Sequence, residues 1–532
     1  MTASSPLAAA AASVDAGSTC PVLPARLHQV IDRWARDTPS APALEDATQQ
    51  LSYAELQQRV AAAGKRLAAA GLRPGDRLLV VAENCAAAAL LALACSTIDA
   101  WCSLVNARLS PREVDAVIEH AGPRRVVVLE GGSAEAAAHA RRLGAAAQDW
   151  PELGALHLGA LNEDCRPEPV HAAASEQVAA LVYTSGTSGS PKGVMLTHAN
   201  LLFIAENGRR MRRLVPGDRV WGVLPLSHVY GLTSVLLATL HAGASLVLVP
   251  RFDAAEMARA LAVGGITVLH GVPAMYAKLL AWSRQPGHVL RAPALRVAQS
   301  GGAPLDEALK AAVEQALGVV LHNGYGMTEA APSIAQTRLD TPRRDASVGM
   351  PIPGTEVRIV DLQRQQPVPG GETGELWVRG PQVMKGYYRD AVLTRQTVNA
   401  EGWLHTGDLA RLAPDGVLEV VGRSKELIIR SGFNVYPVEV EQALCAHPDV
   451  MQAAVVGRPV PGNEEVVAFV EPVPGRQLEA GTLQAWLRER LSPYKLPSAI
   501  VLMAQLPAST TGKVAKARLR ELAQQPLAGS CA

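Results

Sequence analysis

The chain has 532 residues, of which 48% are hydrophobic, and its 50 basic and 49 acidic side chains leave a formal net charge of +1. This length exceeds what one ordinary hydrophobic core needs, so several cores or one large composite domain are expected. The balanced charge gives no overall field for nucleic acid or an anionic membrane surface. Nucleic acid is therefore not an expected partner, and an anionic substrate would have to be held by local groups.

The cysteines and the apolar segments indicate a cytoplasmic protein without integral membrane association. Seven cysteines are scattered without a CxxC pair, which argues against a disulfide framework and against a zinc site. Residues 1–23 are alanine-rich but lack the features of a signal peptide, which predicts a flexible leader. Asp99 interrupts the apolar stretch Cys85–Val105, so a buried helix followed by a strand is expected there. The sequence does not fix the oligomeric state, and a homodimer is one possibility.

Helical and extended patterns alternate along most of the chain. Helical periodicity over Tyr53–Ala70 is followed by the apolar run Arg77–Ala82. The same alternation recurs in two further pairs, Pro111–Ala121 with Arg125–Leu129, and Ala254–Val263 with Ile266–His270. Alternation of this kind predicts an α/β fold in which helices cover parallel sheets.

The sequence changes character after about Ala346, where glycine and proline separate short extended runs. These runs predict a β-rich subdomain over residues 346–422, at the end of an N-terminal domain of residues 24–422. A compact α+β domain over residues 423–532 is expected to follow. The boundary is placed at Gly422–Lys425, before a predicted strand at Glu426–Ile429, although an ordinary surface turn would have a similar sequence.

A loop with polyphosphate-binding chemistry follows the predicted buried strand Ala179–Thr184. Its glycines free the backbone, and its hydroxyls, amides and lysine are donors suited to phosphate oxygens. A strand resumes at Val194–Thr197, and the lysine precedes glycine rather than serine or threonine, so the loop is not a Walker A motif. A solvated Gly/Ser linker is the alternative, but linkers rarely have a strand at each end. The candidate ligands are Thr184, Ser185, Gly186, Thr187, Ser188, Gly189 and Lys192.

The segment Tyr183–Asn200 (YTSGTSGSPKGVMLTHAN) resembles the signature of the acyl-adenylate-forming superfamily, which includes acyl-CoA synthetases, peptide-synthetase adenylation domains and beetle luciferases. Further motifs follow in the family's order, and the resemblance extends over Pro24–Leu522. The chain resembles acyl-CoA synthetases of the 4-coumarate and fatty-acid CoA ligase type. The resemblance implies a large N-terminal domain with a mobile C-terminal lid, the cofactors ATP, Mg²⁺ and coenzyme A, and a small-molecule carboxylic acid as substrate.

The segment Gly324–Glu329 follows a short apolar run and ends in a hydroxyl and a carboxylate, which suit magnesium held over phosphate. Thr-Glu is also a common start of a helix. The resemblance implies that Thr328 contacts phosphate, Glu329 binds Mg²⁺ and Tyr325 stacks on adenine. It also places Asn323 and Gly324 in the nucleotide site, and Gly326 and Met327 in the acyl pocket.

The remaining nucleotide and thiol contacts also follow from the resemblance. Asp408 would bind the ribose hydroxyls, although an aspartate after glycine can simply cap a turn. Arg423 would contact ribose or phosphate, and Lys425 would be the pivot between the two domains. The other expected contacts are Gly302, Ala303 and Pro304 beside the adenine, Ser300 and Gly301 beside the acyl group, and Ser431 and Gly432 in the thiol tunnel.

Lys513 matches the family's catalytic lysine. Attack of a carboxylate on the α-phosphate gathers negative charge, which a desolvated ammonium group can stabilise. A lone surface lysine is otherwise simply solvated. Because Lys513 and the phosphate loop belong to different predicted domains, the C-terminal domain must close for adenylation and then rotate for thiol attack.

The segment Pro225–Leu232 resembles the family region whose histidine, here His228, gates the acyl pocket. The stretch Val229–Leu237 contains no acidic or basic residue, which predicts an apolar pocket with a few hydroxyls, including Tyr230 and Ser234. Tyr230 could equally be a core aromatic residue. The expected substrate is a medium- or long-chain fatty acid or an aryl acid. Transfer to a separate carrier protein and a non-catalytic acyl- or nucleotide-binding role are the alternatives.

Overall fold

The computed structural model describes residues 23–185, 191–430, 433–460, 463–508 and 514–525. The helices and strands below belong to those ranges.

The strands fall into a large N-terminal group, a middle group and a C-terminal group. The first group contains β1 (Pro42–Glu45), β2 (Gln50–Ser52), β3 (Arg77–Ala82), β4 (Trp101–Asn106), β5 (Arg125–Val128), β6 (Ala146–Trp150), β7 (Gly154–Leu158), β8 (Val178–Ser185), β9 (Pro191–Thr197), β10 (Arg219–Gly222), β11 (Ser245–Leu248), β12 (Val268–Gly271), β13 (Val297–Gly301), β14 (Leu321–Gly326), β15 (Ser333–Gln336) and β16 (Met350–Pro351). The later groups contain β17 (Glu356–Val360), β18 (Gly374–Arg379), β19 (Gly386–Tyr387), β20 (Leu404–Leu412), β21 (Leu418–Arg423), β22 (Ile428–Arg430), β23 (Phe433–Val435), β24 (Val450–Val460), β25 (Asn463–Pro472) and β26 (Ala499–Leu502).

The α-helices lie mostly between these strands. They are α1 (Asp32–Asp37), α2 (Tyr53–Ala69), α3 (Ala86–Thr97), α4 (Pro111–Ala121), α5 (Ala134–Arg142), α6 (His198–Met211), α7 (Ala238–His241), α8 (Ala254–Val263), α9 (Pro273–Ser283), α10 (Glu307–Leu317), α11 (Ala391–Thr397), α12 (Pro437–Cys445), α13 (Ala480–Arg488) and α14 (Lys516–Ala523). A π-helix covers Tyr230–Leu237, and 3₁₀ turns cover Leu27–Ile31, Thr328–Ala330, Ser424–Glu426 and Pro493–Lys495.

Two large sheets form the N-terminal part. One has the strand order β16-β15-β14-β13-β12-β10-β11-β1-β2, and the other has the order β19-β9-β8-β4-β3-β5-β7-β6. Their central strands pair in parallel, whereas the pairs β14–β15 and β8–β9 are antiparallel. Every residue of β3 is buried, as expected of a parallel strand covered on both faces. The α/β prediction is confirmed, with antiparallel edges added to the parallel centres.

Local sequence signals explain where several helices begin. Ser52 and Glu55 form a reciprocal capping box at the start of α2, and Ser110 with Glu113 does the same for α4. The alanine-rich helix α3 is buried almost throughout, and β4 follows it. The predicted helix followed by a strand in this apolar stretch is therefore confirmed. In the described part of the chain, no helix is both long enough and apolar enough to cross a membrane.

The middle group forms an antiparallel sheet in the order β17-β18-β20-β21, within the region predicted to be β-rich. The predicted strand at Glu426–Ile429 is wrong in its bounds. A 3₁₀ turn covers Ser424–Glu426, closed by a 3.0 Å hydrogen bond from the Leu427 amide to the Arg423 carbonyl, and β22 starts only at Ile428. Glu426 is held in the turn because its carboxylate accepts a hydrogen bond from Lys516 at 2.8 Å.

The C-terminal part combines the β24-β25-β26 sheet, the β22–β23 hairpin and helices α12 to α14. Two clusters of buried apolar residues hold it together, one between the sheet and α12 and α13, and one between the sheet and α14. The mixture of helices and strands expected after Glu439 is present. The division of the chain into domains at residues 422 and 423 stays a prediction.

Candidate active site

The antiparallel pair β8–β9 carries the predicted phosphate loop at its open end. Thr184 lies opposite Lys192, and Ser185 lies opposite Pro191. The loop therefore connects two adjacent strands, as the sequence predicts, and does not open a helix. The predicted ligands Gly186, Thr187, Ser188 and Gly189 lie outside the described residues.

Tyr387 connects the lysine of this hairpin to the predicted magnesium ligand. The ammonium nitrogen of Lys192 lies 5.6 Å from the centroid of the Tyr387 ring. The hydroxyl of the same tyrosine donates a 2.7 Å hydrogen bond to Oε1 of Glu329. Burial and the neighbouring Glu329 carboxylate raise the pKa of Tyr387, so the hydroxyl remains a donor. Two motifs that are more than a hundred residues apart in sequence thus meet at one side chain.

The backbone around Tyr387 explains how this contact is held. Strand β19 adds to the edge of β9, with Tyr387 opposite Val194. The Met384 amide donates to the Glu329 carbonyl at 2.9 Å, and the Tyr388 amide donates to the Gly193 carbonyl at 2.8 Å. Residues 384–388 are therefore hydrogen-bonded both to the strand after the phosphate loop and to the turn that carries Glu329.

Asp408, Arg423 and Tyr325 form a second polar cluster. Asp408 on β20 lies opposite Arg423 on β21, and the Arg423 Nε lies 3.0 Å from the Asp408 Oδ1. The Tyr325 hydroxyl donates to Oδ2 of the same carboxylate. Asp408 is 3% exposed, whereas the side chain of Arg423 is 58% exposed. The cluster therefore joins an accessible guanidinium to a buried carboxylate.

The protonation of this cluster follows from its burial. Burial raises the pKa of the Asp408 carboxyl, although the Arg423 guanidinium and the Tyr325 hydroxyl oppose that shift. Burial and the nearby Asp408 carboxylate raise the pKa of Tyr325, which keeps its hydroxyl protonated. The Asp408 charge in turn raises the pKa of Arg423. The arrangement offers charged and neutral hydrogen-bonding groups to a polyhydroxylated ligand.

The predicted acyl-pocket residues lie at the π-helix and the end of β13. The Tyr230 ring is buried against Gly301, where an added Cβ atom would approach ring carbon Cε1 to 3.2 Å. His228 is half-buried and accepts a 3.2 Å hydrogen bond from the Tyr230 amide at Nδ1. The hydroxyls of Ser234 and Ser300 are buried without a hydrogen-bond partner in the described structure. This part of the site is apolar, with a few unpaired polar atoms.

The other predicted site residues differ in what they contact. Asn323 is engaged with the backbone, since its Nδ2 donates to the Ala346 carbonyl at 2.8 Å and its Oδ1 accepts from the Gly324 amide at 3.0 Å. Thr328 is buried at the start of a 3₁₀ turn, beside Glu329. Pro304 is exposed, whereas the following residues are half-buried: Gly302, Ala303, Gly326 and Met327.

The pivot candidate Lys425 is exposed in the 3₁₀ turn that follows β21. This turn adjoins the Asp408 cluster, because the Ser424 hydroxyl donates to the Gly407 carbonyl at 3.0 Å. Lys513, Ser431 and Gly432 lie outside the described residues. Their assigned roles, like those of the other site residues, stay predictions.

The sequence analysis missed two residues that the fold brings to this region. Tyr387 belongs to the segment Lys385–Tyr388, whose paired tyrosines between short strands were a signal that could have been noticed. Arg212 directly follows α6. The glycine and the run of arginines in this part of the sequence are typical of an ordinary exposed helix end, so nothing distinguished Arg212. Its guanidinium is buried beside the Tyr230 region, although the stretch Val229–Leu237 itself contains no basic residue.

Comparison with known proteins gives strong matches over most of the chain. The family described as AMP-binding enzyme matches residues 31–388, and the family described as AMP-binding enzyme C-terminal domain matches residues 439–513. Feruloyl-CoA synthase from Amycolatopsis sp is 36% identical over 491 residues, which cover 92% of this chain and 97% of that protein.

Solved structures match over a similar extent. ATP-bound MatB from Rhodopseudomonas palustris superimposes with a TM-score of 0.81 at 30% identity, covering 94% of this chain and 99% of that one. O-succinylbenzoate coenzyme A synthetase (MenE) from Bacillus subtilis, in complex with ATP and magnesium ion, gives a TM-score of 0.77 at 28% identity, covering 93% and 99%.

Proposed function

Because this chain belongs to the AMP-binding enzyme family, we propose that the site described above activates an aryl carboxylic acid for transfer to coenzyme A. The enzyme class predicted from the sequence, an ATP-dependent acid–thiol ligase that forms an acyl-adenylate and then a CoA thioester, is confirmed by its relatives. ATP, Mg²⁺ and coenzyme A are likewise confirmed as its cofactors. The observation that carries the assignment of the site is the meeting of Lys192 and Glu329 at Tyr387.

In the first half-reaction, a carboxylate oxygen of the acid attacks the α-phosphorus of ATP. A new oxygen–phosphorus bond forms, the bond to the β-phosphate bridging oxygen breaks, and pyrophosphate leaves. Lys192 and the loop that precedes it would hold the triphosphate, and Asp408 with Arg423 would bind the ribose hydroxyls. Lys513 would stabilise the charge that develops on the α-phosphate, an effect worth about 3 kcal/mol for a single well-placed donor.

The residues around Glu329 fit a magnesium ion that accompanies the triphosphate. Glu329 and Thr328 supply hard oxygen donors, and Tyr387 would orient the Glu329 carboxylate. Within the described ranges no three His, Cys, Asp or Glu side chains cluster as a metal site. In proteins, Mg²⁺ is commonly held by one or two carboxylates together with phosphate oxygens and water. When bound, the ion would neutralise phosphate charge.

In the second half-reaction, the thiol sulfur of coenzyme A attacks the acyl carbon and AMP leaves. Rotation of the C-terminal domain about Lys425 would withdraw Lys513 and bring Ser431 and Gly432 to the thiol path. The exposed position of Lys425, in a turn directly after the Asp408 cluster, supports this pivot. The proposed division into residues 24–422 and 423–532, with 346–422 as a β-rich subdomain, is consistent with it.

The proposal of an aryl acid rests on the surroundings of Tyr230. An aromatic side chain packed on Gly301 offers a flat apolar surface next to the segment expected to hold the acyl group. A relative named for the feruloyl group, an aryl acyl group, supports the same substrate class. His228 would lie at the entrance to this pocket, near the reacting carboxylate.

The experiment is a panel of aryl, fatty and short-chain acids, assayed for pyrophosphate release with and without coenzyme A. Aryl acids are expected to give pyrophosphate without the thiol and a thioester with it. Pyrophosphate without a thioester would instead point to a carrier protein as acceptor. If no acid releases pyrophosphate while ATP still binds, the assignment of the site is wrong.

We also propose a cytoplasmic location and a homodimer. The described cysteines are free, and three of the five are buried, as in proteins of a reducing compartment. Light scattering of the purified protein would test the homodimer, and fractionation of cells would test the location.

A further inference from the structure

Arg212 is a buried arginine that lacks an ionic partner. It is the C-cap residue of α6 and is 3% exposed. Its Nε donates to Oε1 of Gln299, but both terminal nitrogens, Nη1 and Nη2, are without a hydrogen-bond partner among the described residues. None of its polar contacts with the described residues is with a carboxylate. The guanidinium packs against Gly208. A Cβ atom at that position would lie only 2.9 Å from Nη1, so the absence of a side chain at Gly208 makes space for the guanidinium.

The guanidinium lies over a polar row on the nine-stranded sheet. His270, Gln299 and His322 are directly opposite one another on the adjacent parallel strands β12, β13 and β14. Side chains in register on parallel neighbours point to the same face, so the three form one row. Gly301, two residues after Gln299, continues the same face and carries the Tyr230 ring. The row therefore runs beside the proposed acyl pocket.

His270 gives this row a second unpaired donor or acceptor. The imidazole is completely buried, and its Nδ1 lies 3.4 Å from the Tyr230 hydroxyl, with the two rings edge to face at 5.9 Å. Its Nε2 has no hydrogen-bond partner in the described structure. Burial and the Arg212 charge hold the pKa of His270 well below its ordinary value, so the ring is neutral. A neutral imidazole can donate to a ligand or accept from it.

Groups of this kind are costly to bury without partners. Most buried polar atoms in native proteins are hydrogen-bonded, and an unpaired buried guanidinium is especially unfavourable. An apolar residue of similar volume would avoid that cost, so the presence of an arginine at this position points to a ligand that pairs with it. An oxygen atom of a bound substrate could accept the missing hydrogen bonds, since the donor nitrogens Nη1 and Nη2 have no acceptor among the described residues.

We propose that Arg212 and His270 form a subsite for a hydrogen-bond-accepting oxygen at the end of the acid that is remote from its reacting carboxyl group. The inference rests on the proposed function, and it names the substrate class more closely as an aryl acid with a distal phenolic, ether or carboxylate oxygen. The stretch Val229–Leu237 alone predicts an acyl pocket without a basic residue, whereas the proposed subsite contains one. The basic residue comes from the end of α6 rather than from that stretch.

The test compares four acids of one shape in pyrophosphate release: cinnamate, 4-hydroxycinnamate, 4-methoxycinnamate and 4-carboxycinnamate. We expect at least one oxygenated acid to exceed cinnamate in kcat/KM by about tenfold or more. A preference for the carboxylate would identify an anionic ligand, and a preference for the hydroxyl or methoxy group a neutral one. Equal rates for all four acids would overturn the subsite while leaving the proposed function intact. Absence of turnover with every acid would instead count against the proposed function.

The variant Arg212→Met should remove the preference by raising KM for the oxygenated acid, with cinnamate turnover retained. Arg209→Met is the matched control, because Arg209 lies on the same helix but pairs with Glu206 at 2.7 Å near the surface. His270→Phe provides a second variant if Arg212→Met does not fold, and it should reduce the same preference. An unchanged preference in a folded Arg212→Met or His270→Phe protein would contradict the proposal.

Discussion

The hydroxyl of Tyr387 donates a 2.7 Å hydrogen bond to Oε1 of Glu329, and the same ring lies 5.6 Å from the ammonium nitrogen of Lys192. One tyrosine therefore fixes the orientation of a carboxylate expected to meet magnesium and adjoins a lysine expected to meet phosphate. A hydrogen bond to one carboxylate oxygen leaves the other oxygen available for a ligand.

We expect Tyr387→Phe to weaken the use of magnesium and ATP while the fold is retained. Loss of a partner that orients a metal ligand commonly costs about 10- to 100-fold in affinity or activity. The measurement is pyrophosphate release as a function of Mg²⁺ concentration. Tyr388→Phe is the control, because its hydroxyl bonds to Glu168 instead, at 2.7 Å. A Tyr387→Phe enzyme with an unchanged Mg²⁺ dependence would show that Glu329 needs no such support.

Replacement of Lys513 by alanine should slow adenylation severely yet leave thioester formation from supplied acyl-adenylate largely intact. The ammonium group is expected to act only on the charge at the α-phosphate, so its loss should slow that step about 10²- to 10³-fold. The two half-reactions are measured separately, with pyrophosphate release for the first and thioester formation from acyl-adenylate for the second. Equal losses in both would refute the assignment of this lysine to one half-reaction.

The variant Lys425→Pro should spare pyrophosphate release and reduce thioester formation by more than about tenfold. Proline fixes the backbone φ angle and therefore hinders rotation at this position. The 3.0 Å hydrogen bond from Leu427 to Arg423 closes the turn without the Lys425 amide, so the turn itself should survive. Lys425→Ala controls for the lost side chain. Normal overall turnover in the proline variant would exclude this residue as the pivot.

Asp408→Asn should lower ATP affinity by about tenfold or more, because a charged acceptor for the ribose hydroxyls is lost. The same substitution should not weaken the fold and should even stabilise it near pH 7. The folded-state pKa of Asp408 is raised, so the folded protein binds this proton more tightly than the unfolded chain does. Deprotonation therefore costs the fold stability as pH rises above the ordinary aspartate range.

The asparagine variant should consequently unfold at the same or a higher temperature near pH 7, and this difference should shrink as pH falls below about 4. Thermal unfolding at both pH values, with nucleotide absent, makes the measurement. A large loss of stability near pH 7 would show that the ion pair with Arg423 outweighs the cost of burial.

The sequence predicted the parts of the fold that depend on local pattern. The helices Pro111–Ala121 and Ala254–Val263 have the expected bounds, because an apolar face and clear start signals define them. The position of the phosphate loop between two strands was likewise predictable from apolar runs on both sides of a glycine-rich segment, and the structure adds that these strands pair as an antiparallel hairpin. The strand expected at Glu426 failed, since contacts with distant residues such as Lys516 determine that turn.

The site was predictable motif by motif, through resemblance, but not in its internal contacts. Nothing near Glu329 in sequence identifies Tyr387 as its partner, because only the pairing of β19 with β9 brings them together. Arg212 was missed for a related reason. Arginines at the end of a helix are usually exposed, and burial of this one depends on the packing of α6 over β13.

Helix α6 has a consequence for the order and strength of substrate binding. Thr197 is the last residue of β9 and the N-cap of α6, and Arg212 follows the helix at its other end. A single 14-residue helix, about 21 Å long, thus joins the strand that follows the predicted phosphate loop to the guanidinium of the proposed acid subsite. The binding of ATP and of the acid can be measured together to test whether occupancy at one end of this helix changes affinity at the other. Any such linkage must be reciprocal, so that an acid that binds more tightly in the presence of ATP strengthens ATP binding by the same factor.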